Sequence, residues 1–183
     1  VWRAQSFLEN TVTCDLSPTS SSAYEGGKLL GGFHSDLEDF CSSQLSISLP
    51  GYHHLPGYCS RYRLAERRFS GSVTGELEFS IEEVGKRLDQ ATVLEDAWKC
   101  GTVRKRLVHG DPKSANMLLD SDSGRGVAMI DLDTVAQGLL MHDIGDCLRS
   151  FCNPVGEVSD RGDRVVFDIG RCEDVLRGYA DSG

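Results

Sequence analysis

The sequence predicts an α+β fold, mainly helical, in which a polar loop leads into one short β-hairpin. Apolar residues recur at helical spacing in four stretches: Leu30, Phe33, Leu37 and Phe40; Leu77, Ile81, Val84 and Leu88; Ile144, Leu148 and Phe151; and Val166, Ile169, Cys172, Leu176 and Tyr179. Two short apolar runs, Met117-Leu118-Leu119 and Val127-Ala128-Met129-Ile130, flank the polar, glycine-containing stretch Asp120 to Gly126, which is the pattern of a hairpin. With 183 residues, 39% of them hydrophobic, the chain can bury one core, or a domain and an appendage.

In chain order, Val1 to Leu8 mixes aromatic, aliphatic and polar residues in rough alternation, predicting a strand that runs into a connector at Glu9-Asn10-Thr11. Ser17 to Ser22 is polar, contains Pro18 and suits a lead-in to a first helix from about Ser22 to Phe40. Gly26-Gly27 and Gly31-Gly32 lie inside that helix. Their spacing does not fit G-x-G-x-x-G and they do not join a strand to a helix, so they predict the close approach of another backbone. Leu49-Pro-Gly-Tyr-His and Leu55-Pro-Gly-Tyr-Cys form a near-repeat that predicts a loop with His53 and His54 in solvent. A second helix is expected from Glu76 through Leu94 to Trp98, ending near Gly101. Leu107-Val108 then lead into the polar loop, with the apolar faces of the first two helices packed beneath it.

The formal net charge of −9 disfavours a nucleic-acid partner, because an acidic chain repels a phosphate backbone at long range. Arg104-Lys105-Arg106 is the one basic run and reads as the solvated end of a strand or helix. Seven cysteines without a C-x-x-C pair predict neither a disulfide framework nor a zinc knuckle, but reduced thiols in a cytoplasmic protein. No apolar run approaches the ~20 residues of a membrane span. The chain begins at Val1, inside a stretch that already reads as a strand, so a fragment of a longer protein is expected.

The chemistry concentrates in His109-Gly-Asp-Pro-Lys-Ser-Ala-Asn116 and, after the hairpin, Ile130-Asp-Leu-Asp133. A carboxylate followed two residues later by Lys and five later by Asn can present all three groups from one tight loop. A second carboxylate beyond the hairpin can fold back towards the first. Phosphoryl transfer needs an acceptor for the hydroxyl proton, oxygen ligands for magnesium and a cation near the γ-phosphate, and this segment offers all three. Magnesium takes few protein ligands, so one Asn carbonyl and one Asp suffice.

His109 to Asn116 resembles the catalytic loop of the aminoglycoside phosphotransferase and choline kinase superfamily, and keeps the spacing of the protein-kinase loop H-R-D-x-K-x-x-N. The resemblance implies a protein-kinase-like C-terminal lobe. It implies Asp111 as catalytic base, Lys113 near the transferred group, and Asn116 and Asp131 as magnesium ligands, with ATP and Mg2+ as cofactors. Asp133 stands where protein kinases carry the glycine of D-F-G. The string Gly126 to Val135 followed by Gly138-Leu-Leu-Met-His-Asp143-Ile-Gly-Asp146-Cys-Leu-Arg149 is similar to the N-acetylhexosamine 1-kinase branch. On that likeness Asp143 braces the catalytic loop, Asp133 or Arg149 faces the acceptor, and the acceptor is a hydroxyl of a small molecule, a sugar such as an N-acetylhexosamine. Residues 1–11 then resemble the last small-lobe strand and the hinge, with Ser6 and Leu8 against the adenine, and 12–183 the catalytic lobe. The small lobe's phosphate-covering loop and lysine are expected before Val1, and further helices after Tyr179. Activity is therefore expected of the complete protein.

Two other readings remain open. A catalytically silent binding module would keep the loop without a nucleotide lobe. A metal-dependent hydrolase would gather His109, Asp111, Asp131 and His142 around one or two metals. Otherwise His109 is expected to hydrogen-bond within its loop, and His34 and His142 to be partly buried packing residues.

Overall fold

The computed structural model describes residues 4–14, 19–41, 45, 49–157 and 165–182. The chain divides into two compact units, one formed by residues 1–48 and 106–183, the other by residues 49–105.

In the first unit, strand β1 (Thr11–Thr13) is followed by helix α1 (Ser20–Asp36). A reciprocal pair of contacts starts α1. Thr19 Oγ1 accepts from Ser22 N–H at 3.2 Å, while Ser22 Oγ accepts from Thr19 N–H at 2.7 Å, so two of the donors orphaned at a helix start are satisfied. The strand expected over Val1–Leu8 is not found in its described part. Residues 4–8 have no ladder partner and Glu9-Asn10 turn, Asn10 with φ 56°, into β1; residues 1–3 lie outside the described residues. Pro18 lies outside them too.

Past the second unit come β2 (Arg106–Val108), the loop 109–116 with a 3-10 turn at Ser114–Asn116, β3 (Met117–Asp120), β4 (Gly126–Met129), β5 (Ala136–Gly138), α5 (Leu140–Phe151) and α6 (Ile169–Ala180). The hairpin is the one the sequence predicts. Its turn closes on the Asp120 carboxylate, which accepts from Ser123 N–H and Oγ–H at 2.8 and 2.7 Å, and Gly124 takes φ +69°. The antiparallel sheet runs β1-β3-β4, and β2 pairs with β5 in a separate ribbon.

The core joins α1, α5 and α6 to the hairpin through Ala23, Leu30, Met117, Cys147, Phe151 and Val175. Helices α1 and α6 meet backbone to backbone. A Cβ on Gly27 would overlap the Val175 carbonyl, one on Gly178 the Tyr24 carbonyl, and one on Gly31 would meet the Tyr179 carbonyl at 2.7 Å. Gly26 makes room for the Phe151 ring. The backbone approach predicted from the glycine pairs is thus present at Gly27 and Gly31; Gly26 meets a side chain instead, and the surroundings of Gly32 are open.

In the second unit, α2 (Leu55–Arg68) occupies residues that the near-repeat had predicted as loop. Only the first copy is a turn, with Gly51 at φ +79°. In the second copy Pro56 sits in the first helical turn, where no N–H is missed, and His54 Nδ1 caps the Gly57 N–H at 3.2 Å. The long helix predicted from Glu76 is broken into α3 (Gly75–Gly85), a 3-10 turn at Leu88–Gln90 and α4 (Val93–Lys99). The break starts after Gly85, where Arg87 N–H bonds three residues back to Val84 O at 3.0 Å. Gly101, at φ +79°, ends the segment as expected. Of the two helices expected beneath the loop, α1 packs on the hairpin and loop; the other belongs to this second unit.

Candidate active site

Two ladders fix the loop at both ends. Val108 pairs with Ala136, so the chain leaving β2 lies beside the chain entering β5. Met117 pairs with Met129, so the chain entering β3 lies beside the chain leaving β4. The loop 109–116 and the segment 130–135 must therefore run side by side. Three hydrogen bonds join them: Ile130 N–H to Asn116 O at 2.9 Å, His109 Nε2–H to Ile130 O at 3.0 Å, and Thr134 Oγ1–H to His109 O at 2.8 Å. Gly110 adopts φ +87° where a Cβ would stand 2.7 Å from the Thr134 carbonyl, so glycine is required on both counts.

Within the loop Asp111 is half-buried, and its Oδ2 accepts from Lys113 Nζ at 2.6 Å and from Asn116 Nδ2 at 3.0 Å. Asn116 Nδ2 also donates to the Asp111 carbonyl at 2.8 Å. Asp111 holds the Lys113 ammonium above the ordinary lysine range, and the charges of Glu157 and Asp131 act in the same direction. Asp131 follows β4 in the left-handed region, at φ 62° and ψ 60°, and is exposed. The Asp111 and Asp131 charges both act on Lys113 and on His109.

His109 is fully buried and uses both ring nitrogens, since Nδ1 accepts from Asp111 N–H at 3.3 Å while Nε2 donates to Ile130 O. That is the neutral ring with its hydrogen on Nε2, and burial pushes the His109 pKa below the usual value. With both nitrogens so used, His109 cannot ligate a metal. Among the described residues no cluster of three or more His, Cys, Asp or Glu is placed to hold one.

Helix α5 grips the loop at two points a helical two-turn apart. Asp143, wholly buried, accepts His109 N–H on Oδ2 at 2.6 Å and Gly110 N–H on Oδ1 at 2.9 Å, the bracing contacts its resemblance implies. Ser150 Oγ accepts Ser114 N–H at 2.9 Å. His34 is no mere packing residue, because its Nε2 lies 3.0 Å from Asp143 Oδ2 and its Nδ1 2.9 Å from the Tyr179 hydroxyl. Ser150, Thr134, His34 and Tyr179 were not singled out by their chemistry in the sequence. The seven-residue step from Asp143 to Ser150, on the buried face of an amphipathic helix, is a signal by which Ser150 could be found.

Of the other predicted site residues, Ser6 and Leu8 line a cavity of ≈ 570 Å³ with Gln5, Phe7, Val12, Leu118 and Ile130, the last adjoining Asp131. Asp133 is exposed in the 3-10 turn Leu132–Thr134. Arg149, also exposed, is tied to Asp146 and Glu157 at 2.8 Å each, beside a groove of ≈ 450 Å³ walled by Val165, Val166 and Phe167. No helix among the described residues is long and apolar enough to cross a membrane.

The chemistry of two of these side chains is compatible with a magnesium ion. Asn116 and Asp131 offer oxygen alone, and magnesium is commonly held by one or two protein oxygens together with phosphate and water. The sequence model of the phosphotransferase enzyme family matches residues 1–175. Among solved structures, an ethanolamine kinase from Plasmodium vivax is similar in fold, with a TM-score of 0.50 at 13% identity. The likeness covers 93% of this chain but 49% of that one, so the chain spans about half the length of that structure. The ladder-pinned loop, the brace from α5 and the family match agree: this chain belongs to the phosphotransferase enzyme family.

Proposed function

We propose that the complete protein is a cytoplasmic small-molecule kinase that transfers the γ-phosphoryl group of ATP to a sugar hydroxyl, an N-acetylhexosamine above all. The observation that carries the kinase reading is the Asp111 carboxylate. Its Oδ2 is occupied by Lys113 and Asn116, and its Oδ1 accepts no hydrogen bond among the described residues. Oδ1 is thus the atom that takes the acceptor's hydroxyl proton as the oxygen attacks phosphorus. Asn116 and Asp131 would hold the metal of Mg2+-ATP, which when bound would supply the phosphoryl group and neutralise its charge. Lys113 keeps its charge at neutral pH and faces the transferred group. Ser6 and Leu8 would meet the adenine, and the apolar walls of their cavity suit a flat ring.

The sugar is supported by the likeness of residues 126–149 to the sugar 1-kinases. A second reading, a cationic amino alcohol, is favoured by the groove at Arg149. Two carboxylates share one guanidinium there and leave net negative charge beside the exposed ring of Phe167, a setting that attracts an ammonium group. The structurally similar ethanolamine kinase acts on such an alcohol by its name.

The test is ATP-dependent phosphorylation by the complete protein of a panel of neutral hexoses, N-acetylhexosamines, ethanolamine, choline and aminoglycosides. Turnover with N-acetylhexosamines that Asp111→Asn abolishes is the expected result. Turnover confined to cationic acceptors would replace the sugar and keep the mechanism. Nucleotide binding without turnover on any acceptor would leave a silent binding module instead.

A further inference from the structure

Behind the loop, three side chains form a relay from α6 to the backbone of His109 and Gly110. The Tyr179 hydroxyl meets His34 Nδ1 on α1 at 2.9 Å, and His34 Nε2 meets Asp143 Oδ2 on α5 at 3.0 Å. Asp143 in turn holds the two loop amides at 2.6 and 2.9 Å. His34 is 3% exposed and Asp143 0%, so water does not compete for these contacts. A carboxylate oxygen that already takes the His109 N–H accepts here, which puts a hydrogen on His34 Nε2, and Nδ1 makes the ring's second hydrogen bond, with the Tyr179 hydroxyl. Burial pushes the Tyr179 pKa up, so the phenol stays protonated beside the ring. Arg106 donates to the His34 carbonyl at 2.6 Å and anchors the last turn of α1.

We propose that His34, held at its far nitrogen by Tyr179, is a positioning residue for phosphoryl transfer: it orients the Asp143 carboxylate and, through it, the backbone that presents Asp111. Asp143 Oδ2 accepts two donors and Oδ1 one, so without the His34 N–H the carboxylate can rotate about its Cβ–Cγ bond. The amides of His109 and Gly110 would then lose their aligned partner, and Asp111 begins at the next residue. A residue that merely filled this space would need no polar atom at both ends of its ring. The inference rests on Asp111 being the base, but its first measurement does not.

That measurement is hydrogen exchange at the His109 and Gly110 amides in the complete protein, with wild type, His34→Leu, His34→Gln and Tyr179→Phe compared under conditions where all are folded. The second is turnover with Mg2+-ATP and the best acceptor of the panel above, with Asp111→Asn as control. His34→Leu is expected to speed exchange and to lower kcat about tenfold or more, as loss of an outer-shell partner commonly does, while KM for ATP stays within about twofold. His34→Gln, which can again offer an N–H to Asp143, should recover most of the loss. Tyr179→Phe should lower kcat by less than His34→Leu does, because it frees the far side of the ring and leaves the N–H to Asp143 in place. If His34→Leu does not fold, His34→Asn, too short to reach Asp143, replaces it. Wild-type exchange and wild-type kcat in the folded His34→Leu or His34→Asn protein would overturn the proposal. Full turnover by Asp111→Asn would instead overturn the assignment of the base, with the exchange data still deciding the role of His34.

Discussion

Replacing Asp143 by Asn tests the brace at its centre, because the amide keeps the shape of the carboxylate and loses one acceptor. Three N–H groups converge on Asp143: two from the loop backbone, at 2.6 and 2.9 Å, and one from His34, at 3.0 Å. With the amide oxygen in the Oδ2 position, the NH2 group faces the Gly110 N–H and leaves it buried without a partner. With the oxygen in the Oδ1 position, two donors are stranded instead. The first arrangement costs less, and it still forfeits a charge-assisted bond worth about 1.5–3 kcal/mol and weakens the two that remain. The cheaper burial of a neutral group returns part of this. We expect a net loss of about 3 kcal/mol. Urea unfolding of the complete protein at pH 7.5, followed by far-UV circular dichroism, reads it as a fall in midpoint at unchanged slope. Hydrogen exchange should at the same time rise at Gly110 more than in the hairpin. A loss below about 1 kcal/mol with an unaltered Gly110 amide would refute the claim that this carboxylate holds the loop.

The glycines of α1 offer opposite outcomes on one helix: Gly27→Ala drives a methyl into the Val175 carbonyl and should destabilise by about 3 kcal/mol, whereas Gly32→Ala, in open surroundings, should stabilise by up to about 1 kcal/mol in thermal melts. The His109 pKa lies below its unfolded value, so the unfolded chain binds a proton first as pH falls. The stability this histidine contributes is therefore complete above about pH 6.5 and falls below it, by at most roughly 1.4 kcal/mol per pH unit for one proton, towards its folded pKa. Unfolding midpoints between pH 7.5 and 5.5 should show that slope, and His109→Gln should flatten it. Asp131→Asn should raise the KM for Mg2+-ATP as well as lower kcat, while Asp111→Asn leaves nucleotide affinity near wild type in calorimetric titration.

The sequence alone determined the class of fold, the hairpin, the closely packed glycines of α1, the helices near the chain's end and the segment in which the chemistry lies. Those features are local. Apolar periods of 3.6 and about 2, a glycine-bearing turn and a run of polar residues at fixed spacing each state their structure within a dozen residues. Where two local rules competed, the sequence misled. Leu55-Pro-Gly looked like a turn because Pro and Gly begin turns, yet the same Pro opens α2, and the helix predicted over 76–98 breaks after a glycine whose cost a longer apolar stripe concealed. What only the tertiary structure decided is the support of the loop. His34 and Asp143 are 109 residues apart in sequence, and His34 and Tyr179 are 145 apart. The His34–Tyr179 pairing follows from the way α1 and α6 meet across Gly27, Gly31 and Gly178, and the His34–Asp143 pairing from the packing of α1 on α5, approaches that no single stretch of sequence encodes. The loop's residues carry the chemical groups; the packing of three helices fixes where those groups point.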